Sequence, residues 1–266
     1  MHRRQALIAA LSVVGLGAAG CGSRHGPGPV VPTPAPPLYP SRAADLFRPG
    51  TRHLLATGET AVSEIVPGGV LRLPTGRLTA ADPGWVTRRW PDGVGPFTVT
   101  VPPGAYPLTL ALLDGRVAAA RLTLADRPVT SWDLALRAGE DPATLAPGYF
   151  FGVGVDTGTM ALFDEAAHDA VGRLADTDPL NFDVEDSDTL EHRDVVPGAN
   201  VIAFLTGFGD GEYPVWIGRT RDGIVGCFVV DMQMLAPATT TTAPPWLPPP
   251  SSGRRRPAPV DQPGSG

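Results

Sequence analysis

Four aspartates in the second half of this 266-residue chain, Asp156, Asp164, Asp210 and Asp231, are the side chains whose type could break bonds, with Tyr213 and Trp216 nearby in sequence. A glycoside hydrolase uses two facing carboxylates, one protonating the leaving group and the other serving as base or nucleophile. Asp156 or Asp210 with Asp164 or Asp231 would supply such a pair, and the two aromatic residues are the candidate binding residues. Each aspartate also stands beside glycine or at a strand end, where a carboxylate ordinarily accepts hydrogen bonds from nearby backbone. Turn acceptors are the favoured reading, an extracytoplasmic hydrolase is the alternative, and the expectation leans away from an enzyme.

Other chemistry is thinly represented. Val155-Asp156-Thr157-Gly158-Thr159 resembles the phosphate turn of the actin and sugar-kinase superfamily, but that superfamily needs a large two-domain α/β body after the motif, and too little chain follows. Gly152-x-Gly154 lacks the third glycine and the helix of a dinucleotide fingerprint. His25, His53, His168 and His192 show no ligand spacing to one another. The acidic stretch 176–194, counted from Asp183, puts Asp188 and Asp194 where an EF-hand loop needs Gly and Glu. A solvated acidic loop is expected there, and neither a metal nor a cofactor. Cys227 lies in the apolar run 224–230 and reads as a small core residue, since a reactive thiol wants a histidine and an exposed, electropositive setting. A net charge of −6 without an evident basic face argues against nucleic acid.

The elements that must position these residues are short strands. Strand-forming runs recur at 69–73, 97–101, 108–113, 117–124, 149–155, 201–206, 215–217 and 224–230, with Gly, Pro and Asp-Gly between them. That rhythm predicts an all-β domain, sandwich or barrel-like, over residues 39–235. One short helix is added at 165–175, where Ala167, Ala170, Val171 and Leu174 share a face. The clearest hairpin lies within 207–232, where Asp222-Gly223 separates two apolar runs and suits a type I′ turn.

Two stretches, about 66–132 and 149–234, carry the same features in the same order. Thr75-Gly76 precedes Asp82 as Thr157-Gly158 precedes Asp164. Gly104-Ala105-Tyr106-Pro107 matches Gly211-Glu212-Tyr213-Pro214, and each is followed by an apolar strand and an Asp-Gly turn, at Asp114-Gly115 or Asp222-Gly223. Two similar β-rich halves are expected, the second enlarged by the acidic insertion 176–199. Asp82 before Pro83, and Asp164 before the helix, read as N-caps worth about 1 kcal/mol each.

The ends speak of location. Arg3 and Arg4, an uncharged run over 6–19 and Gly20-Cys21 make residues 1–20 an export signal; Arg3-Arg4 also resembles a twin-arginine signal. Ala18-Ala19-Gly20-Cys21 resembles the bacterial lipoprotein cleavage box, which implies that Cys21 is acylated as the first mature residue. A chain held by lipid at the outer face of the cytoplasmic membrane is expected, with secretion as the second choice. Cys227 then has no disulfide partner. The chain contains no lysine, and its bias to Ala, Gly, Pro and Arg is that of a high-GC bacterial genome. Residues 21–38 form a Pro-rich linker suited to an extended spacer, and the Pro/Thr-rich tail 236–266 is expected to be disordered. The membrane, through that lipid, and an unidentified protein or small molecule are the expected partners.

Several of these motifs coincide with one family. Gly154-Val155-Asp156-Thr157-Gly158-Thr159, Phe163-Asp164, Gly207-Phe208-Gly209-Asp210-Gly211-x-Tyr213-Pro214 and Asp231 resemble the bacterial family known as domain of unknown function 4241, with Phe208 where Trp is expected. Leu73-Pro74-Thr75-Gly76, Asp82-Pro83 and Pro103-Gly104-x-Tyr106-Pro107 fit its first part. The resemblance covers most of residues 66–232 and implies no activity.

Overall fold

Pro67-Gly68-Gly69 interrupts the longest strand, Thr60–Leu73, with a bulge: its register slips between Pro67 and Gly69, and Gly69 takes φ +97°. Bulges bend and twist a strand, so the sheet built on it curls. The computed structural model describes residues 33–34, 40–86, 94–146, 149–184 and 188–236. The export segment, Cys21, most of the linker and nearly all of the tail lie outside the described residues.

Among the described residues are fourteen strands: β1 (Thr33–Pro34), β2 (Arg52–Leu54), β3 (Thr60–Leu73), β4 (Leu78–Ala81), β5 (Gly104–Leu113), β6 (Arg116–Thr123), β7 (Val129–Leu134), β8 (Tyr149–Phe150), β9 (Gly152–Val155), β10 (Thr159–Asp164), β11 (Leu190–Val196), β12 (Ala199–Leu205), β13 (Gly211–Thr220) and β14 (Val225–Asp231). The described residues also form the helices α1 (Pro40–Asp45) and α2 (His168–Thr177). The large sheet runs β2-β3-β5-β6-β14-β13-β7 with β9 also on β13, and a second sheet runs β11-β12-β10-β4. All strand pairs are antiparallel. The all-β expectation with one short added helix therefore holds for the described residues, α1 being a single further turn and a half.

The second sheet is buried on both faces. Met160, Leu162, Ile202 and Phe204 join the main core with Leu71, Leu110 and Phe228, while Ala161, Phe163, Val201 and Ala203 face Ala167, Val171 and Ala175 around α2. Strands covered on both sides read as continuous apolar runs, without alternation. That is why β4 and β10 escaped the strand rhythm.

Other boundaries moved for local reasons. Residues 97–101 form no ladder and make one bridge, Phe97 to Arg137. The run 149–155 divides into β8 and β9, which pair with different strands. The chain after Asp164 enters a 3-10 turn at Glu165–Ala167 before α2 begins. The acidic insertion is partly regular, holding the end of α2, a 3-10 turn at Pro179–Phe182 and β11. The two Asp-Gly turns also differ. Asp114 and Gly115 both have positive φ, as a two-residue type I′ turn requires, whereas in the loop 221–223 only Gly223 does. Arg221 is the extra residue: Thr220 N donates to Ile224 O and Gly223 N to Thr220 O, closing a three-residue loop that ends on a left-handed glycine.

Two ladders have matching centres. In β4–β10, Ala80 lies opposite Leu162, at the same sequence separation that relates Thr75 to Thr157, Gly76 to Gly158 and Asp82 to Asp164. In β6–β14, Arg121 lies opposite Val229, the separation that relates Asp114-Gly115 to Asp222-Gly223. Leu73 and Leu71 pair with Gly104 and Tyr106 just as Val155 and Val153 pair with Gly211 and Tyr213.

Candidate functional site

The motif residues meet in two braced turns. Asp164 is fully buried; Oδ1 accepts from Ala166 N at 2.9 Å, closing its own 3-10 turn, and from Thr75 Oγ1 at 2.7 Å, while Oδ2 accepts from Thr75 N at 3.0 Å. Asp82 does the same across the other way. Its Oδ1 accepts from Gly84 N at 2.8 Å and Thr157 Oγ1 at 3.0 Å, and its Oδ2 from Asp156 N and Thr157 N at 2.7 and 2.8 Å. Each aspartate thus caps the turn that follows it and clamps the Thr-Gly turn of the other stretch. The turn glycine itself is dictated by space, since a Cβ on Gly76 would fall 1.8 Å from Val101 O.

A loop closes over each Thr-Gly turn. Val101 N donates to Gly76 O at 2.9 Å, and Thr206 N and Oγ1 both donate to Gly158 O, at 2.9 and 3.0 Å. The Gly-x-Tyr-Pro elements hold those loops. Tyr213 donates its hydroxyl to Gly209 O at 2.6 Å, and Tyr106 likewise to Pro102 O, each four residues back. The ring folds over the glycine two positions before it, where a Cβ would stand 3.0 Å from the Tyr106 ring or 3.1 Å from the Tyr213 hydroxyl. The proline that follows gives up a ladder donor where β13 leaves β9 for β14 and β7.

The structure brings the candidate residues together only in part. Asp156 and Asp210 are exposed and flank the Val155–Gly211 pair at one end of β9 and β13. Asp164 closes the far end of β10, about 17 Å of strand from the Thr157-Gly158 turn, where paired catalytic carboxylates stand about 5–9.5 Å apart. Asp231 is 8 % exposed; burial pushes its carboxyl up to about 6, against the Gln233 backbone N–H, the Arg42 charge and a hydrogen bond from Trp216. Tyr213 and Trp216, the two aromatic candidates, are 5 % and 0 % exposed and pack in the main core. Burial pushes the Tyr213 hydroxyl above its ordinary value, as it does the Cys227 thiol. Among the described residues no three His, Cys, Asp or Glu side chains gather as a metal-binding set.

Two structural residues were missed. Arg137 sends Nη2, Nη1 and Nε to Ala80 O, Gly152 O and Gly95 O at 2.9, 3.1 and 3.2 Å, with Phe97 beneath it at 5.2 Å. Asn200 copies a backbone pair: its Oδ1 accepts from Arg72 N at 2.7 Å and its Nδ2 donates to Val70 O at 2.8 Å, joining β12 to the bent end of β3. A lone Arg and a lone Asn carry no spacing signal that would have marked them.

Fold and site define a β-rich domain whose recurring acidic and tyrosine motifs brace turns. The chain belongs to the family described as protein of unknown function (DUF4241), whose model matches residues 71–230. No curated protein and no solved structure matches it.

Proposed function

We propose that the protein is a lipid-anchored extracytoplasmic binding module without catalytic activity, built from two copies of one β-rich unit and carried on the Pro-rich linker that follows Cys21. The reciprocal clamps of Asp82 and Asp164, the paired Gly-x-Tyr-Pro elements and the two ladders with matching centres support the duplication. The observation that carries the binding reading is the rim around the Thr157-Gly158 turn. Trp85 and Phe208, 42 % and 46 % exposed, sit on the two segments that grip this turn, beside the solvent-facing Asp156 and Asp210. Exposed aromatic rings on a rigid support are what interfaces use as anchors, and conserving that geometry asks for no bond-breaking pair.

Two measurements test it. Growth on an alkyne-tagged palmitate should label the wild-type chain and leave Cys21→Ser unlabelled; label on both, or on neither, removes the anchor. A photo-crosslinking residue in place of Phe208 should give a discrete adduct in intact cells that disappears when Trp85→Ala is added. Equal adducts from a crosslinker at the exposed Thr130 would remove the rim as the binding face.

A further inference from the structure

Helix α2 and strand β11 flank a groove that the turn chemistry does not use. It measures about 340 Å³ and lies between α2 and β11, at the small end of the roughly 300–1,000 Å³ typical of small-molecule sites. Ala170, Leu174 and Val195 give it an apolar lining, and Arg173, Arg193 and His192 give it a polar one.

Most of that polar lining is fixed from behind. Asn200, fully buried, donates Nδ2 to Glu191 Oε1 at 2.6 Å, and Glu191 Oε2 accepts from Arg193 Nε at 2.9 Å. Burial raises the Glu191 carboxyl, but hydrogen bonds from Asn200 and Arg193 and the charges of Arg193 and Arg72 together hold it below its ordinary value. His192 Nε2 lies 2.6 Å from Asn181 O, with the ring edge-on to Phe182. Arg173 is different. Asp169 and Asp176 stand one helical turn to either side, where ion pairs form readily, yet among the described residues its guanidinium has no carboxylate partner, and Asp169 lies against His168 instead. A cation that ignores two neighbouring carboxylates and lines an apolar groove is placed for an anion from outside.

We propose that this groove binds a small organic monoanion with an apolar body, of the medium-chain carboxylate class, its head between Arg173 and Arg193 and its hydrocarbon on Ala170, Leu174 and Val195. Charge-assisted contact to guanidinium sets the head group, and the uncharged wall excludes a bare inorganic anion as a good fit. The site is independent of the rim around Thr157-Gly158. Calorimetric titration of the full chain with octanoate should give saturable one-to-one binding. Arg173→Gln, an exposed change that disturbs no ion pair among the described residues, should weaken it about tenfold or more with unaltered melting. Inorganic phosphate and octylammonium should each bind at least about tenfold more weakly than octanoate. No saturable heat at millimolar octanoate, equal affinity in Arg173→Gln, or equal affinity for phosphate or octylammonium would each overturn the assignment.

Discussion

Asp164 holds three donors, two of them from a turn 89 positions away in sequence, and that is more than a cap does. Removing an N-cap costs about 1 kcal/mol, and each further hydrogen bond lost, here to the exposed Thr75, adds about 0.5–1.5 kcal/mol. Asp164→Ala is therefore expected to cost about 2–4 kcal/mol in urea denaturation, and Asp82→Ala at least as much. Thr75→Val should cost less and should add little on top of Asp164→Ala, because both remove the same contact. A loss of only about 1 kcal/mol for Asp164→Ala would mean that the clamp on Thr75 contributes nothing.

Asp231 makes the opposite prediction. In the unfolded chain its carboxyl ionises near its ordinary value of 3.8, and in the fold only near 6. Between those values the folded protein binds more protons, so this group's contribution to stability falls as pH rises from about 4 to about 6 and stays low above. The gap corresponds to about 3 kcal/mol. Asp231→Asn should match wild type near pH 3.5 and exceed it in stability by up to that amount at pH 7. A pH-independent difference between the two proteins would remove this account.

At the scale of elements, the Gly-x-Tyr-Pro corner is a unit of glycine, ring and carbonyl. Gly211→Ala pushes a methyl against the buried Tyr213 ring and is expected to cost about 1–3 kcal/mol, the range for overpacking. Gly104→Ala should cost less, because Tyr106 is only half-buried and can swing out. Tyr213→Phe, which deletes only the hydroxyl bond, should cost about 1 kcal/mol. Equal melting of the two alanine variants would show that burial of the ring is not what makes the glycine necessary.

These corners were legible because their parts are adjacent in sequence. The Asp-Gly turns, the tyrosine before proline and the amphipathic α2 announce themselves locally, and their recurrence suggested the clamps as caps. Other elements hide for physical reasons. β4 and β10 are covered on both faces and show no alternation, and β11 carries Glu191, His192, Arg193 and Asp194 yet pairs with β12. The second half of each clamp lies across the fold, so Asp164 gives no hint that Thr75 is its partner. Aromatic residues beside aspartates suit both a site and a core, so the burial of Tyr213 and Trp216 was not legible from their neighbours in sequence.

Across the whole molecule, the pairing of β4 with β10, β6 with β14 and β7 with β13 joins the first stretch to the second, as do both clamps, the Asn200 link to β3 and the Arg137 bond to Gly152 O. Neither stretch can complete its own core. A chain divided in the exposed loop between Glu140 and Asp141 keeps each of these contacts available, because the cut crosses no strand and spares the Arg137–Glu140 pair. Fragments 1–140 and 141–266 should therefore fail to melt cooperatively alone, copurify when coexpressed, and melt together at a midpoint that rises with concentration. If the two stretches are copies of one unit, as proposed, separate copies would exchange the same contacts as a symmetric dimer. A cooperative melt from either fragment alone would show that the stretches are independent domains, each completing its own core.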